Sequence, residues 1–177
     1  MAPRRPLHDG HCNHERYTST MRNNPTRLAE LQRLLMLDSS PEKAFDDLTT
    51  LLATSLEVPI TMVNFLDVDR DWFKSCVGLS QRQGPVDTSF CEQFFHTTDD
   101  LVVITDTLRS AQFADHRLVA GPPHIRFYAG ARLAIGGQTV GTLCAYDIQP
   151  RSISTGQIEQ LRTLASAVLE LLAQRRG

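Results

Sequence analysis

Two hairpins, one at mid-chain and one nearer the end, constrain the fold more than any other feature of this sequence. Ile60 to Asp67 (ITMVNFLD) and Trp72 to Val77 (WFKSCV) are rich in β-branched and aromatic residues, and a polar turn over Asp67 to Asp71 joins them. Ile125 to Leu133 and Thr139 to Tyr146 make a second pair joined at Gly136-Gly137, a dipeptide suited to a tight hairpin turn. Strands joined this closely run antiparallel, so the sheet should be largely antiparallel. Leu101 to Thr105 adds a short further strand.

Helical patterns flank these strands. Asn24 can cap a helix that has Pro25 in its first position, with Leu28, Leu31, Leu34 and Leu35 recurring at three and four. Ser39 with Glu42 predicts a capping box for a second helix reaching about Leu56, with Phe45, Leu48 and Leu52 on one side. Val58-Pro59 then forces extended chain. Ser89 with Glu92 predicts another capping box, opening a short helix through Phe95. Ser154 with Gln157 opens the last helix, whose stripe runs from Ile158 to Leu171. Residues 106 to 124 hold Asp, Arg, Gly and two prolines and are expected to be mostly loop. The fold class is therefore α+β, a central antiparallel sheet with helices on both faces. The first and last helices should share one face, and the middle section should cover the other.

A chain of 177 residues fits one domain, taken as residues 24–177, behind a leader (1–23) without periodicity that is expected to be disordered. His8, His11, Cys12 and His14 in that leader are zinc-ligand types, but they read as coincidental residues of a tail and no metal is assigned. Met21, where ordered-looking sequence begins, is an alternative start. A net charge of −2 gives no pull toward nucleic acid or an anionic membrane. No apolar run approaches the roughly 18–20 residues of a membrane span. Cys12, Cys76, Cys91 and Cys144 have no paired spacing, which favours a reducing cytoplasm over a disulfide framework.

Five blocks in register from Pro25 to the last helix carry a family resemblance. They are PTRLAELQRLLMLDSSPEKAFDDLT, VPITMVNFLDVDRDWFKSCVGL, DTSFCEQFF, LVVITDTLRSAQFADHRLVAGPPHIRFYAGARL and GQTVGTLCAYDIQPR. The chain resembles the GAF domains found at the N-terminus of bacterial sensor kinases and diguanylate cyclases, and as stand-alone proteins. The resemblance implies five or six strands, a ligand pocket between sheet and middle section, and dimerisation through the terminal helices. Family members bind cyclic nucleotides, tetrapyrroles, haem or other small molecules, so the cofactor is unknown. Only six residues follow Leu171. The expectation is a stand-alone sensory domain that passes its signal to a second copy or a separate output protein.

Phe90, Cys91, Asp106, His124, Arg126 and Tyr128 are the candidate ligand-binding residues. Cys91 lies near an expected helix start, which favours a thiolate. A small buried apolar role competes with that reading, and more strongly for Cys76 and Cys144 within strands. His124, Arg126 and Tyr128 alternate in HIRFYAG and would share one strand face, able to bind a carboxylate or phosphate. The competing reading pairs Arg126 with Asp106 or Asp115 to pin the loop. Trp72 reads as core, and no phosphate-loop glycine pattern exists.

One GAF branch reduces free methionine-R-sulfoxide with cysteine chemistry, and this is the alternative function. Cys91 resembles one cysteine of that branch. The attacking cysteine is missing from GPPHIR, and Cys144 and Tyr146 stand near the places of its carboxylates. A bilin chromophore would need a larger middle section, although His96 follows Cys91 by five residues. Haem ligation by His96 or His124 has no further support.

Overall fold

The computed structural model describes residues 21–176. The leader through residue 20, with its histidines and Cys12, lies outside them. Six strands form one antiparallel sheet: β1 (Ile60–Leu66), β2 (Arg70–Val77), β3 (Gln83–Pro85), β4 (Leu101–Ile104), β5 (Phe127–Ile135) and β6 (Gln138–Asp147). Their order is β3-β2-β1-β6-β5-β4. Both expected hairpins form, β1 with β2 and β5 with β6. Gly136 and Gly137 both take positive φ, the backbone that a two-residue hairpin turn demands and that glycine adopts without strain. β3, three residues long, was not expected from the sequence.

Three long helices cover one face: α1 (Pro25–Arg33), α2 (Lys43–Leu56) and, from the C-terminal end, a helix over Thr155–Ala173. Leu31, Phe45, Leu52, Leu161 and Val168 bury their side chains against Val63, Phe65 and Leu143 of the sheet. Each such side chain contributes about 1.5–3 kcal/mol on leaving water. Asn24 caps α1 through its side chain, and Ser154 with Gln157 forms the expected capping box.

The second expected capping box does not form. Glu42 is the N-cap of α2 but makes no side-chain cap bond. The cause is a β-bulge that makes Lys74 an extra residue on β2, opposite Val63 and Asn64 of β1. Fully buried Lys74 reaches into the helical layer and donates to Ser39 Oγ, Ser40 O and Glu42 Oε1, each at 2.6 Å. A buried ammonium requires that many partners, and it takes the two residues that the local pattern assigns to capping.

The opposite face is roofed by short pieces. A 3-10 turn at Val86–Thr88, a 3-10 helix at Phe90–Phe95, a 3-10 turn at Thr107–Arg109 and the one-turn α3 (Arg117–Ala120) alternate with loop. The C-terminal helix is α4 in this order. Phe90, Phe94, Phe113, Val119 and Ile125 pack down on Met62, Cys144 and Tyr146, forming a second core on this side.

Candidate functional site

Alternation along the strands decides which side chains meet the roof. Met62 and Asn64 of β1, and Thr142, Cys144 and Tyr146 of β6, point to the roof side. Between this floor and the roof lies a cavity of about 300 Å³. Its apolar walls are Ile60, Met62, Phe73, Phe90, Leu118 and Ile125. Its polar groups include Asp71, Gln81, Gln83, Thr88, Ser89 and Tyr146. Among the described residues no Lys, Arg or His lines it, and Asp71 is the single charged group on its wall.

Asp71 is held from three directions. Arg22 Nη2 donates to Oδ1 at 2.6 Å, Asn64 Nδ2 to Oδ2 at 3.1 Å, and the Ser89 hydroxyl also reaches Oδ2. Arg22 further pairs with Glu92 and donates to the carbonyls of Asp67 and Arg70. It is only 2% exposed, and Met21 and Arg22 are helical. Residues 21–23, which the sequence placed in the leader, are therefore ordered, because Arg22 is an anchor in the roof-side interior. Ser89 and Glu92 do not form a capping box: Ser89 makes no side-chain cap bond, and both side chains are committed to this ionic node. Burial raises the Glu92 carboxyl, with Arg22 opposing the shift.

Beside the cavity sits a buried thiol cluster. Cys91 Sγ lies 3.0 Å from Thr142 Oγ1, 3.5 Å from Asn64 Nδ2, 3.6 Å from Tyr128 Oη and 3.9 Å from Tyr146 Oη. Cys144 Sγ lies 3.7 Å from Thr142 Oγ1 and 3.6 Å from Tyr146 Oη. Gly130 makes this possible. A Cβ there would stand 2.2 Å from the Tyr128 hydroxyl, so the phenol occupies space that only glycine leaves open. Burial and the neighbouring thiols push both tyrosine hydroxyls far up. Burial acts to raise Cys91, but hydrogen bonds from Cys144, Thr142 and Tyr128 bring its net direction down, while burial and Cys91 drive Cys144 well up.

The structure separates the six sequence candidates. Phe90 lines the cavity, stacked on Phe113 at 4.9 Å and on Tyr128 at 5.4 Å. Cys91 and Tyr128 lie in the thiol cluster, fully buried. Arg126 pairs with Asp106 through Nε and Nη2 at 3.0 and 3.1 Å, away from the cavity wall. This pairing is the loop-pinning arrangement. The guanidinium holds the Asp106 carboxyl below its ordinary range. His124 is exposed, takes φ +61° and is within 3.2 Å of the Val119 carbonyl through Nδ1. The expected shared face of His124, Arg126 and Tyr128 does not exist, because regular strand starts only at Phe127. Ile125 faces the cavity, and Phe127 the helical core. Arg22, Asn64, Asp71 and Ser89 were missed by sequence reasoning, since no local pattern links residues so far apart in the chain.

An antiparallel sheet with a helical layer on one face and a loop-built roof over a cavity on the other defines an α+β pocket domain. The GAF domain family model matches residues 40–170, and the chain belongs to that family. It is 33% identical over 127 residues to a cyclic di-GMP phosphodiesterase of Pseudomonas aeruginosa, covering 71% of this chain but only 22% of that relative's length. Among solved structures it resembles the GAF domain of an Acinetobacter phosphoenolpyruvate-protein phosphotransferase (TM-score 0.61, 16% identity, 85% of this chain and 95% of that one). It also resembles the blue-light-absorbing form of the PixJ GAF domain of Thermosynechococcus elongatus (TM-score 0.60, 19% identity, 83% and 89%). A third likeness is to a type II free methionine-R-sulfoxide reductase of Thermoplasma acidophilum (TM-score 0.58, 12% identity, 75% and 94%). At these identities the three structural likenesses speak for the fold alone. No helix among the described residues is long and apolar enough to cross a membrane.

Proposed function

We propose that this chain is a sensory domain that takes a small, uncharged or cationic organic molecule into the roofed cavity. The observation that carries the reading is the lining: apolar walls around one carboxylate, with no cation among the described residues of the wall. A phosphate-bearing ligand would lose its water without gaining a counter-charge, which is strongly unfavourable. An aromatic ring with one donor group suits the walls and Asp71 together. A volume of about 300 Å³ stands at the low end of small-molecule pockets and favours one or two rings over a tetrapyrrole. Signal output is assigned to a second copy through the terminal helices or to a separate partner protein.

The reductase alternative has less support. Cys91 and Cys144 are fully buried, and Asp71 is the one carboxylate among the described residues of the wall. A zwitterionic amino acid would find no second free carboxylate on this wall.

The test is to denature the purified protein, identify any released molecule by mass spectrometry, and run a thermal-shift panel. The panel contains neutral and cationic aromatic compounds beside cyclic and linear nucleotides. Binding confined to the first group, and lost in Leu118→Trp, is the expected result. Leu118 is a partly buried wall residue, so the larger ring fills cavity space rather than closed core. Nucleotide binding, or no released molecule and no shift with any compound, would refute the reading.

A further inference from the structure

We propose that Cys91 and Cys144 form a peroxide-oxidisable dithiol whose disulfide staples the roof to the sheet beside the cavity. Cys91 belongs to the roof helix that also supplies Phe90 to the cavity wall, and Cys144 belongs to the central strand β6. The two sulfurs share two hydroxyl neighbours, Thr142 and Tyr146, all within 3.9 Å, and after burial each thiol is the largest influence on the other. Register excludes Cys76 as the partner of Cys144. Cys76 and Cys144 both pair with Met62, from opposite sides of β1. Two strand spacings put their Cα atoms about 10 Å apart, beyond the roughly 7 Å that a disulfide spans.

Tyr146 lines the cavity and also touches both sulfurs, so one aromatic ring separates the cavity from the thiols. Hydrogen peroxide, little larger than water, needs a far smaller opening there than an amino acid does. The chemistry has two balanced steps. The Cys91 sulfur attacks one peroxide oxygen: the S–O bond forms, the O–O bond breaks, and the departing hydroxide leaves as water with the Cys91 proton. The Cys144 sulfur then attacks the Cys91 sulfenic acid: the S–S bond forms, the S–O bond breaks, and the hydroxyl leaves as water with the Cys144 proton. Two thiols and one peroxide yield one disulfide and two waters. Cys91 Sγ has Thr142 Oγ1, Asn64 Nδ2 and Tyr128 Oη around it, donors that can stabilise a thiolate, whereas Cys144 Sγ donates its proton to the Met62 carbonyl, so Cys91 is the attacking thiol and Cys144 the resolving one.

The full chain is treated with hydrogen peroxide, alkylated and mapped by peptide mass spectrometry. The expected product has lost the mass of two hydrogens, contains a linked Cys91–Cys144 peptide pair, and reverts with dithiothreitol. In Cys144→Ala the Cys91 sulfenic acid has no resolving partner, so dimedone labelling at Cys91, done by unfolding the peroxide-treated protein in dimedone, should rise several-fold over wild type, which keeps the test independent of any folding defect in Cys91→Ser. Cys76→Ser should leave the linked pair unchanged. Failure to find the linked pair while Cys91 is oxidised further or stays alkylatable would overturn the proposal, as would dimedone labelling centred on Cys76. None of these readouts depends on the cavity ligand.

Discussion

Replacing Arg22 by Met removes the cation at the centre of the roof-side node and keeps the unbranched stem that packs there. Two carboxylates, Asp71 and Glu92, then lose their counter-charge in the interior. Removing one partner of a buried pair costs about 3–5 kcal/mol. The Glu92 side chain keeps 18% of its surface and regains some hydration, which sets the expected loss near the lower bound, about 3 kcal/mol. With a urea slope of about 1–3 kcal/mol/M, the unfolding midpoint should fall by about 1–3 M. The loss should also depend on pH. Burial already raises the Glu92 carboxyl and Arg22 opposes it, so losing Arg22 raises it further. A carboxyl whose folded value exceeds its unfolded value holds its proton more tightly in the folded state, and stability falls as pH rises from the unfolded value to the folded one. The gap between Arg22→Met and wild type should therefore be smaller at pH 5 than at pH 8. Urea titrations at both pH values measure it. A loss under about 1 kcal/mol, or an equal loss at both, would refute the assignment of Arg22 as a charge-compensating anchor.

Gly130→Ala should destabilise the domain by about 1–3 kcal/mol, because the new methyl displaces the buried Tyr128 ring and so outweighs the ~0.5–1 kcal/mol that alanine gains over glycine in a strand. The loss should largely vanish in a Tyr128→Leu background, and urea unfolding of the four proteins checks this. Arg126→Ala should leave uptake of the cavity ligand unchanged and release the Asp106 carboxyl upward toward its ordinary value, seen by NMR titration. If Arg126→Ala abolished uptake, the pair would belong to the site rather than to the loop. Leu118→Trp should block uptake with the fold retained by circular dichroism, since its ring occupies the cavity.

The parts of the molecule legible in the sequence are those set by local pattern. Both hairpins, the Asn24 cap, the Ser154–Gln157 box and the helical stripes each need only residues a few positions apart. The capping patterns at Ser39–Glu42 and Ser89–Glu92 mislead for one physical reason. A short polar side chain goes to its most demanding partner, and here those partners are buried charges brought in from Lys74, Asp71 and Arg22. The bulge at Lys74 that creates one of these demands leaves no local trace, because any residue can be the extra one. The HIRFYAG alternation fails because His124 and Arg126 precede the strand, and face assignment by parity holds only where the chain is extended. Of the site, Phe90 and Cys91 were legible as candidates near an expected helix start and Tyr128 only as part of a face that does not form, whereas the carboxylate that gives the cavity its charge was not legible.

The two faces of the sheet are held by different kinds of force, and this bears on how occupancy of the cavity is felt elsewhere. The helical layer is secured chiefly by a large apolar core, which yields only when much surface is exposed. The roof has its own smaller core, yet its 3-10 helix is tied down by polar links: Ser89 to Asp71, Glu92 to Arg22, and Arg132 to the carbonyls of Phe94 and Thr97. Three buried side-chain atoms with no partner among the described residues, Arg27 Nη2, Asn64 Oδ1 and Gln93 Nε2, belong to residues that touch or form this region. Unpartnered buried atoms lower the free energy of local opening. Asp71 stands where these links meet, as cavity wall, Ser89 anchor and Arg22 partner at once. A ligand that donates to Asp71 competes with Ser89 and Arg22 for the same oxygens. Arg22 lies just before α1, and its carbonyl accepts from Arg27 Nε within α1 at 2.7 Å. A guest bound to Asp71 would thereby be coupled to the placement of α1 through one carboxylate, and the coupling free energy would be the difference in how well Asp71 is satisfied with and without it.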